Sequence, residues 1–233
     1  MEKNKPIKVS KRNKFLLSML YNFEKNAWSK QDLICGIDEV GRGCLLGPIV
    51  TAAAIIHPYS IHTELKDSKK TNPVLREKLF NWIIKNCSYS IGINNNHFVD
   101  SHNIYTATQT TMLLALHALL SKVEQSPSMI LVDAMPLSLE NTIFKSIPIE
   151  SLIHGESKSA SIAAASIIAK VTRDRIMNNL HYSFPLYKMN NHLGYGTPEH
   201  MQTIKKQGWS FIHRQTFLKN IKGSHDQQLS LFR

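Results

Sequence analysis

Four acidic residues in this 233-residue chain occur where their side chains could do chemistry together. Asp38 and Glu39 follow the apolar run ICGI, and Asp133 ends the apolar run MILVD. Glu156 lies in HGESK, just before a long run rich in alanine and serine. Both apolar runs predict buried strands, and an unpaired carboxylate inside a buried strand is costly. We therefore expect these acids at the carboxyl edge of a sheet.

Carboxylates without an accompanying cluster of histidines or cysteines are typical ligands of hard divalent cations. Two such ions suit phosphodiester cleavage, because one activates water and the other stabilises the leaving oxygen. The alternative is that each acid only caps a turn or helix at a strand end. The adjacent pair raises a further question, because side chains alternate between the faces of a strand. Asp38 and Glu39 serve one site only if the strand ends or twists there, or if one of them contributes its backbone carbonyl.

The glycines that follow the acids do not form a dinucleotide-binding fingerprint. Gly41, Gly43 and Gly47 have the spacing G-x-G-x-x-x-G and lead into Pro48 and a strand, whereas the fingerprint is G-x-G-x-x-G followed by a helix. Glycine also permits close approach of the backbone to a ligand. On that interpretation Arg42 lies beside the acids, where it can contact a phosphate or a sugar.

The elements that must position these residues alternate between strands and helices, which indicates an α/β domain. Few residues separate the first two strands, so part of the sheet is expected to be antiparallel. The predicted strands cover about 32–40, 48–57, 88–95, 128–134 and 146–150, and the predicted helices about 13–26, 72–86, 103–123, 157–180 and 198–207.

The composition points to a polyanionic partner. The chain has 28 Lys and Arg against 17 Asp and Glu, a net charge of +11, which favours nucleic acid or an anionic membrane surface. It has no apolar stretch of 18 residues and no signal-peptide pattern, so no transmembrane helix is expected. Three cysteines without C-x-x-C spacing predict reduced, buried thiols and a cytoplasmic location.

Motifs along most of the chain resemble one family. The run GIDEVGRGCLLGPIVTAAAII looks like the opening motif of the type 2 ribonucleases H, bacterial ribonuclease HII in particular. The similarity continues, in order, through LKDSKK, DSHNIYTAT, ILVDA, HGESKSASIAAASIIAKVTRDRIM, FPLY, HLGYGTPEH and GWSFIHRQTF. It covers about residues 33–218.

The resemblance implies an RNase H-like fold, a mixed sheet flanked by helices with a helical C-terminal segment. It also implies an endonuclease that hydrolyses RNA in RNA–DNA hybrids and cuts 5′ of ribonucleotides embedded in duplex DNA, leaving a 3′-hydroxyl and a 5′-phosphate. The implied cofactors are Mg²⁺ or Mn²⁺, two ions with substrate bound. The protein is then expected to be a monomer that acts in ribonucleotide excision repair.

The family's catalytic carboxylates correspond to Asp38, Glu39, Asp133 and, by position, Glu156, and the first three are expected to hold metal. Its Gly-Arg-Gly loop senses the 2′-hydroxyl, its tyrosine stacks at the RNA–DNA junction, and its lysines contact phosphates, which makes binding salt-dependent. The corresponding residues here are Gly41, Arg42, Gly43, Tyr195, Lys69 and Lys70.

The chain departs from the family pattern at the fourth acid, which is usually Asp and here is Glu156. Asp174 could substitute for it only if the two were close. On one helix at 1.5 Å per residue they lie roughly 27 Å apart, so Asp174 is instead expected to form a structural pair with an arginine. His154 is a further candidate, for proton transfer.

The predicted organisation has three parts: a basic extension and helix over 1–30, the catalytic domain over 31–220, and a tail over 221–233. The tail contains QLSLF, which resembles the peptide by which bacterial repair proteins bind the β sliding clamp. Its anchors would be Gln228, Leu229, Leu231 and Phe232; the alternative is that the apolar residues fold back on the domain.

Two other functions stay open from the sequence. Ribonuclease HIII resembles this family but normally carries an extra N-terminal substrate-binding domain. About 30 residues precede the first predicted strand here, which are too few for such a domain. A non-catalytic protein that binds hybrids is the alternative from another class, and Glu156 is the feature that favours it.

Overall fold

The computed structural model describes residues 19–65 and 71–219. Its strands are β1 (Ile34–Val40), β2 (Ile49–Ile56), β3 (Cys87–Asn94), β4 (Met129–Asp133) and β5 (Ile149–Leu152). Its α-helices are α1 (Asn22–Trp28), α2 (Pro73–Asn86), α3 (Asn96–Leu120), α4 (Ala160–Ser183), α5 (Met189–His192), α6 (Pro198–Gln207) and α7 (Gln215–Leu218). Short 3₁₀ turns cover Gly155–Ser157 and Pro185–Tyr187.

The five strands form one mixed sheet in the order β3-β2-β1-β4-β5. The strands β1, β2 and β3 pair antiparallel, as the short connection between the first two predicts, whereas β4 and β5 run parallel to β1. The predicted fold class is therefore confirmed: a mixed sheet flanked by helices, with a C-terminal segment that is largely helical.

Helices cover both faces of the sheet. The apolar stripe of α3 packs against Cys35, Ile37 and the matching face of β2, while α4, with α2, covers the opposite face. The alanines of α4 allow it to lie close to the sheet. At Gly36 the approach is so close that a Cβ would stand 2.2 Å from the backbone nitrogen of Ile162.

Several helices begin where the sequence predicts them. Asn72 caps α2 by accepting a hydrogen bond from the Leu75 N–H at 2.8 Å, and Pro73 occupies the first helical position. The helix α6 matches the predicted bounds 198–207. The helix α3 begins earlier than predicted, at Asn96, and bends at Asn103, where φ is 62°.

Two further predictions concern the cysteines and transmembrane helices. All three cysteines are buried and unoxidised, as predicted. None of the helices within residues 19–65 and 71–219 has the length and apolar character that a bilayer crossing requires. Lys69, Lys70 and the tail residues Gln228, Leu229, Leu231 and Phe232 lie outside the described residues.

Candidate active site

Two of the predicted acids meet where a parallel ladder ends. Strand β1 pairs with β4 as far as Ile37 and Val132, so Asp38 and Asp133 are the next residues on the two strands. Partners in a parallel ladder present their side chains to the same face. Ile37 and Val132 face α3, so Asp38 and Asp133 both face α4.

The carboxyl group of Asp38 lies in an environment that disfavours its charge. Only 7% of the residue is exposed, and burial raises its pKa well above the usual range. The neighbouring charges of Glu39 and Asp133 raise the pKa further, while hydrogen bonds from Ser166 and from the Glu39 N–H, the latter at 2.7 Å, act in the opposite direction. A bound cation would relieve this repulsion.

The second acid of the pair is oriented differently. Glu39 follows Asp38 in an extended strand, so its side chain is directed to the opposite face, the one that α3 covers. One of its oxygens, Oε1, accepts a hydrogen bond from Nη1 of Arg42 at 3.3 Å. Glu39 therefore links the acids to the Gly-Arg-Gly loop.

Glu156 lies in a turn that is attached to Asp133. The N–H of Gly155 donates to Oδ1 of Asp133 at 2.7 Å, and His154 before it has a left-handed backbone with φ of 56°. Glu156 is buried, and its Oε2 has no hydrogen-bond partner among residues 19–65 and 71–219. A buried carboxylate oxygen in this state is suited to a ligand from outside the chain.

These carboxylates have the donor chemistry of a site for Mg²⁺ or Mn²⁺. Across residues 19–65 and 71–219, no three acidic, histidine or cysteine side chains converge closely enough to enclose an ion by themselves. The raised pKa of Asp38 and the Glu156 oxygen, which lacks a partner in the described part of the chain, both fit a cation that these side chains would share with substrate or water.

The glycines of the Gly-Arg-Gly loop differ in what they accommodate. Gly41 has φ of +94°, and a Cβ there would stand 2.3 Å from Nε of Arg173, so the fold itself requires this glycine. A Cβ on Gly43 would meet no described atom within 4 Å. The side chain of Arg42 between them is 39% exposed. Packing therefore accounts for Gly41, whereas Gly43 borders open space.

Two buried arginines, which the sequence analysis did not single out, hold this loop in place. Arg173 donates to the carbonyl oxygens of Pro48 at 3.0 Å, Leu46 at 3.1 Å and Leu193 at 2.7 Å. Arg214 donates to the carbonyls of Arg42 at 2.9 Å and Gly47 at 3.1–3.2 Å. Burial lowers the pKa of Arg214 to about 10, so the guanidinium stays charged at neutral pH. An arginine within the small-residue helix α4 was the sequence signal for the first of them.

Tyr195 lies next to the same loop. It forms an isolated antiparallel bridge with Cys44, and the residue is 40% exposed. The centroid of its ring lies 5.8 Å from the Lys170 ammonium nitrogen. Burial of part of the side chain raises the pKa of the phenol. The structure thus brings the predicted loop and the predicted tyrosine together, although about 150 residues separate them in the chain.

The other candidates have simpler placements. Asp174 forms ion pairs with Lys170 at 2.8 Å and Arg76 at 3.5 Å, which confirms its predicted structural pairing with an arginine. His154 precedes the turn of Glu156, and its carbonyl accepts hydrogen bonds from the Ser157 backbone and hydroxyl.

Comparison with known proteins is consistent with this arrangement. The family model described as Ribonuclease HII matches residues 35–220. A protein named Ribonuclease HII from Lactobacillus gasseri is 45% identical over 199 residues, which are 84% of this chain and 75% of that protein.

Solved structures show the same fold. The ribonuclease H2 of Pyrococcus horikoshii is 26% identical with a TM-score of 0.66, covering 81% of this chain and 96% of that one. An Archaeoglobus fulgidus ribonuclease HII, solved in a complex with PCNA, is 24% identical with a TM-score of 0.65, covering 82% and 97%.

Proposed function

Because the chain belongs to the ribonuclease HII family, we propose that this endoribonuclease hydrolyses RNA in RNA–DNA hybrids and cuts 5′ of single ribonucleotides embedded in duplex DNA. The products are a 3′-hydroxyl and a 5′-phosphate. The observation that carries the proposal is the burial of Asp38 beside Asp133 and Glu39, which disfavours three negative charges unless a cation is shared among them.

The cofactor we propose is Mg²⁺ or Mn²⁺, two ions when substrate is bound. Asp38, Glu39 and Asp133 would hold metal. Glu156, whose Oε2 lacks a partner among the described residues, would complete the catalytic set. When bound, such ions activate water and stabilise the charge that develops on the leaving oxygen. The chain's own part is to hold the carboxylates: Gly155 fixes Asp133, and Ser166 and the Glu39 N–H fix Asp38.

The substrate we propose is selected at the Gly-Arg-Gly loop and at Tyr195. The open space at Gly43 permits a sugar to approach the backbone, where the 2′-hydroxyl distinguishes RNA from DNA. Arg42 lies between this glycine and Glu39, so it can contact a phosphate without leaving the acids. The exposed ring of Tyr195 is available for stacking on the base or sugar at the junction.

Affinity for the backbone would come from the basic surface. The net charge of +11 favours a nucleic-acid duplex, and we assign Lys69 and Lys70 to phosphate contacts. Binding should then weaken as salt increases, because binding releases counterions from the duplex and that release is less favourable at higher salt concentration.

The decisive experiment uses a short DNA duplex with one embedded ribonucleotide, assayed with Mg²⁺ and with Mn²⁺. A matched all-DNA duplex is the substrate control, and Glu140→Gln, which removes an exposed acid, is the protein control. We expect a single cut 5′ of the ribonucleotide, its loss in Asp38→Asn, and a strong reduction in Glu156→Ala.

The results that contradict the proposal are equally specific. If the wild-type protein binds the duplex but cleaves it with neither metal, the alternative of a non-catalytic hybrid-binding protein is correct. Full activity in Glu156→Ala would remove that residue from the catalytic set and leave the other three acids to be tested singly.

We further propose that the protein acts as a cytoplasmic monomer and that residues 221–233 bind the sliding clamp. The Archaeoglobus fulgidus ribonuclease HII was solved in a complex with PCNA, and QLSLF of this chain resembles the peptide by which bacterial repair proteins bind the β sliding clamp. Mixing the protein with purified β clamp, with and without the last six residues, tests this. Binding that survives the truncation would refute the role of Leu231 and Phe232.

A further inference from the structure

Three buried histidines lie close together next to the backbone of Tyr195. They are His192 at the end of α5, His200 in α6 and His213 before α7. The rings of His192 and His200 stack with their centroids 4.1 Å apart and their planes 12° from parallel. The Nε2 atoms of His200 and His213 are 3.3 Å apart.

The hydrogen bonds around His200 and His213 have only one consistent direction. The Ser210 N–H can only donate, and it does so to Nδ1 of His213 at 3.0 Å, which puts the His213 proton on Nε2. The Ser210 hydroxyl lies 3.0 Å from the same Nδ1. The carbonyl of Tyr195 can only accept, and Nδ1 of His200 lies 2.9 Å from it, which puts the His200 proton on Nδ1.

These two assignments agree where the rings meet. His213 then offers an N–H at Nε2, and His200 offers a lone pair at Nε2, so the contact at 3.3 Å is a hydrogen bond from His213 to His200. The result is a chain that runs from the Ser210 backbone through both imidazoles to the Tyr195 carbonyl.

The surroundings keep both rings neutral, which this chain requires. Burial lowers the pKa of His200 to about 4 and that of His213 to about 3. Repulsion among the imidazoles acts in the same direction: His200 and, less strongly, His192 lower the pKa of His213, and His192 lowers that of His200. At neutral pH each ring therefore keeps one donor and one acceptor.

Tyr195 is held at both of its backbone groups. Its N–H donates to the carbonyl of His192 at 2.9 Å, and its carbonyl accepts from Nδ1 of His200 and from the Thr197 N–H, both at 2.9 Å. The ring itself stays exposed next to Cys44 in the Gly-Arg-Gly segment. The buried histidines thus act on the backbone of a residue whose side chain faces outward.

We propose that His200 and His213 are positioning residues, which orient the Tyr195 ring toward substrate through an ordered hydrogen-bond chain that ends at the Tyr195 carbonyl. This inference rests on the proposed role of Tyr195 at the RNA–DNA junction. It assigns a specificity function to side chains that contact no substrate, and it differs from simple core packing in requiring a particular proton on a particular nitrogen.

Two isosteric variants separate the donor from the packing. In His200→Asn the side-chain amide replaces Nδ1 as the donor to Tyr195, while His200→Gln reaches His213 but offers no donor at the Nδ1 position. We measure cleavage of a duplex with one embedded ribonucleotide relative to a continuous RNA–DNA hybrid. We expect His200→Gln to lower this ratio about fivefold, the effect of one lost hydrogen bond. We expect His200→Asn, which keeps the donor to Tyr195 but loses the contact with His213, to lower it less, by about twofold.

A double-mutant cycle with Tyr195→Ala tests whether the effect acts through the tyrosine. We expect His200→Gln to cause no further loss of selectivity once the Tyr195 ring is absent. Losses that multiply would refute positioning and indicate packing only. His117→Gln is the matched control, since His117 is a partly buried helical histidine that packs on Phe144, and it should leave the ratio unchanged.

A readout that does not depend on activity separates this inference from the proposed function. Proton–nitrogen correlation spectra of ¹⁵N-labelled protein report which imidazole nitrogen carries the proton, and we expect Nδ1–H on His200 and Nε2–H on His213. We also expect His200→Gln to shift the Tyr195 amide and ring signals and His200→Asn to leave them nearly in place. The opposite tautomers, or unmoved Tyr195 signals in His200→Gln, would overturn the proposal even if cleavage is normal. If the spectra are as expected but the protein cleaves no substrate, the proposed function is wrong. The positioning role is then tested by binding: His200→Gln should lower the affinity for a duplex with one embedded ribonucleotide, relative to a continuous hybrid, about fivefold.

Discussion

Replacing Arg173 by methionine should remove one of the main supports of the candidate active site. The guanidinium is fully buried and donates to three backbone carbonyls, those of Leu46, Pro48 and Leu193. The first two belong to the segment after the Gly-Arg-Gly loop, and the third lies two residues before Tyr195. One side chain therefore joins two segments that are far apart in the sequence.

The magnitude follows from those three hydrogen bonds. Methionine keeps much of the apolar stem, so the cavity contribution is small and the loss comes from the carbonyls. A buried acceptor left without its partner costs about 1–3 kcal/mol, which gives about 3–9 kcal/mol for three. Folded proteins of this size have about 5–15 kcal/mol in total, so the variant should be close to the limit of folding.

Urea denaturation followed by tryptophan fluorescence measures this loss, and thermal melting should agree with it. A loss of about 5 kcal/mol corresponds to a decrease in Tm of roughly 10–20 °C for a chain of this length. Arg173→Lys should fall between wild type and methionine, because one ammonium cannot reach all three carbonyls.

Arg175→Met is the matched control on the same helix. Arg175 is exposed and pairs with Glu77 at the surface, so its removal should cost no more than about 1 kcal/mol. If Arg173→Met costs as little as Arg175→Met, the three carbonyls are not held by this arginine and the account of the loop is wrong.

Four further substitutions test two glycines, Asp38 and a buried glutamate. Gly41→Ala should destabilise the protein, because a Cβ would stand 2.3 Å from an arginine nitrogen, whereas Gly43→Ala should melt like wild type and yet cleave poorly. Equal melting of the two variants, or full cleavage by Gly43→Ala, contradicts this. Asp38→Asn should raise Tm at pH 8 without metal, because burial raises the pKa of Asp38 and its charge is then unfavourable. Saturating Mn²⁺, at about 100 times its Kd, should stabilise wild type by about 2.7 kcal/mol and this variant less, and equal stabilisation of both would argue against Asp38 as a ligand. Burial also raises the pKa of Glu24. The stability that the protonated Glu24 contributes is therefore present below the usual glutamate pKa and is lost as pH rises through the folded pKa. The free energy of unfolding in urea should differ less between pH 5 and pH 8 in Glu24→Gln than in wild type, and the same pH dependence in both proteins would contradict a raised pKa for Glu24.

The fold followed from the sequence where local signals were strong. The apolar runs that end at Asp38 and Asp133 predict strands, and β1 and β4 end at or just after those residues. The cap at Asn72 and the prolines at the starts of α2 and α6 fix those helix starts to within a residue. Caps and prolines act within one or two helical turns, so their effect does not depend on tertiary contacts.

Two kinds of feature were not predictable in the same way. The first is the bend at Asn103, a local change inside a helical pattern that periodicity alone does not reveal. The second is contacts with distant partners. The interactions of Arg173 and Arg214 are with backbone carbonyls, which every residue carries, so no sequence pattern points to their partners. The contact between His200 and His213 likewise requires that two loops return to one place.

The adjacent acids of β1 have different roles because the strand keeps its alternation up to its end. Asp38 shares a face with Asp133, since the ladder between β1 and β4 ends one residue earlier. Glu39 is directed to the other face and is held by Arg42. The two acids therefore have different surroundings: Asp38 lies beside Asp133, whereas Glu39 contacts Arg42 of the Gly-Arg-Gly loop, which we propose approaches the sugar.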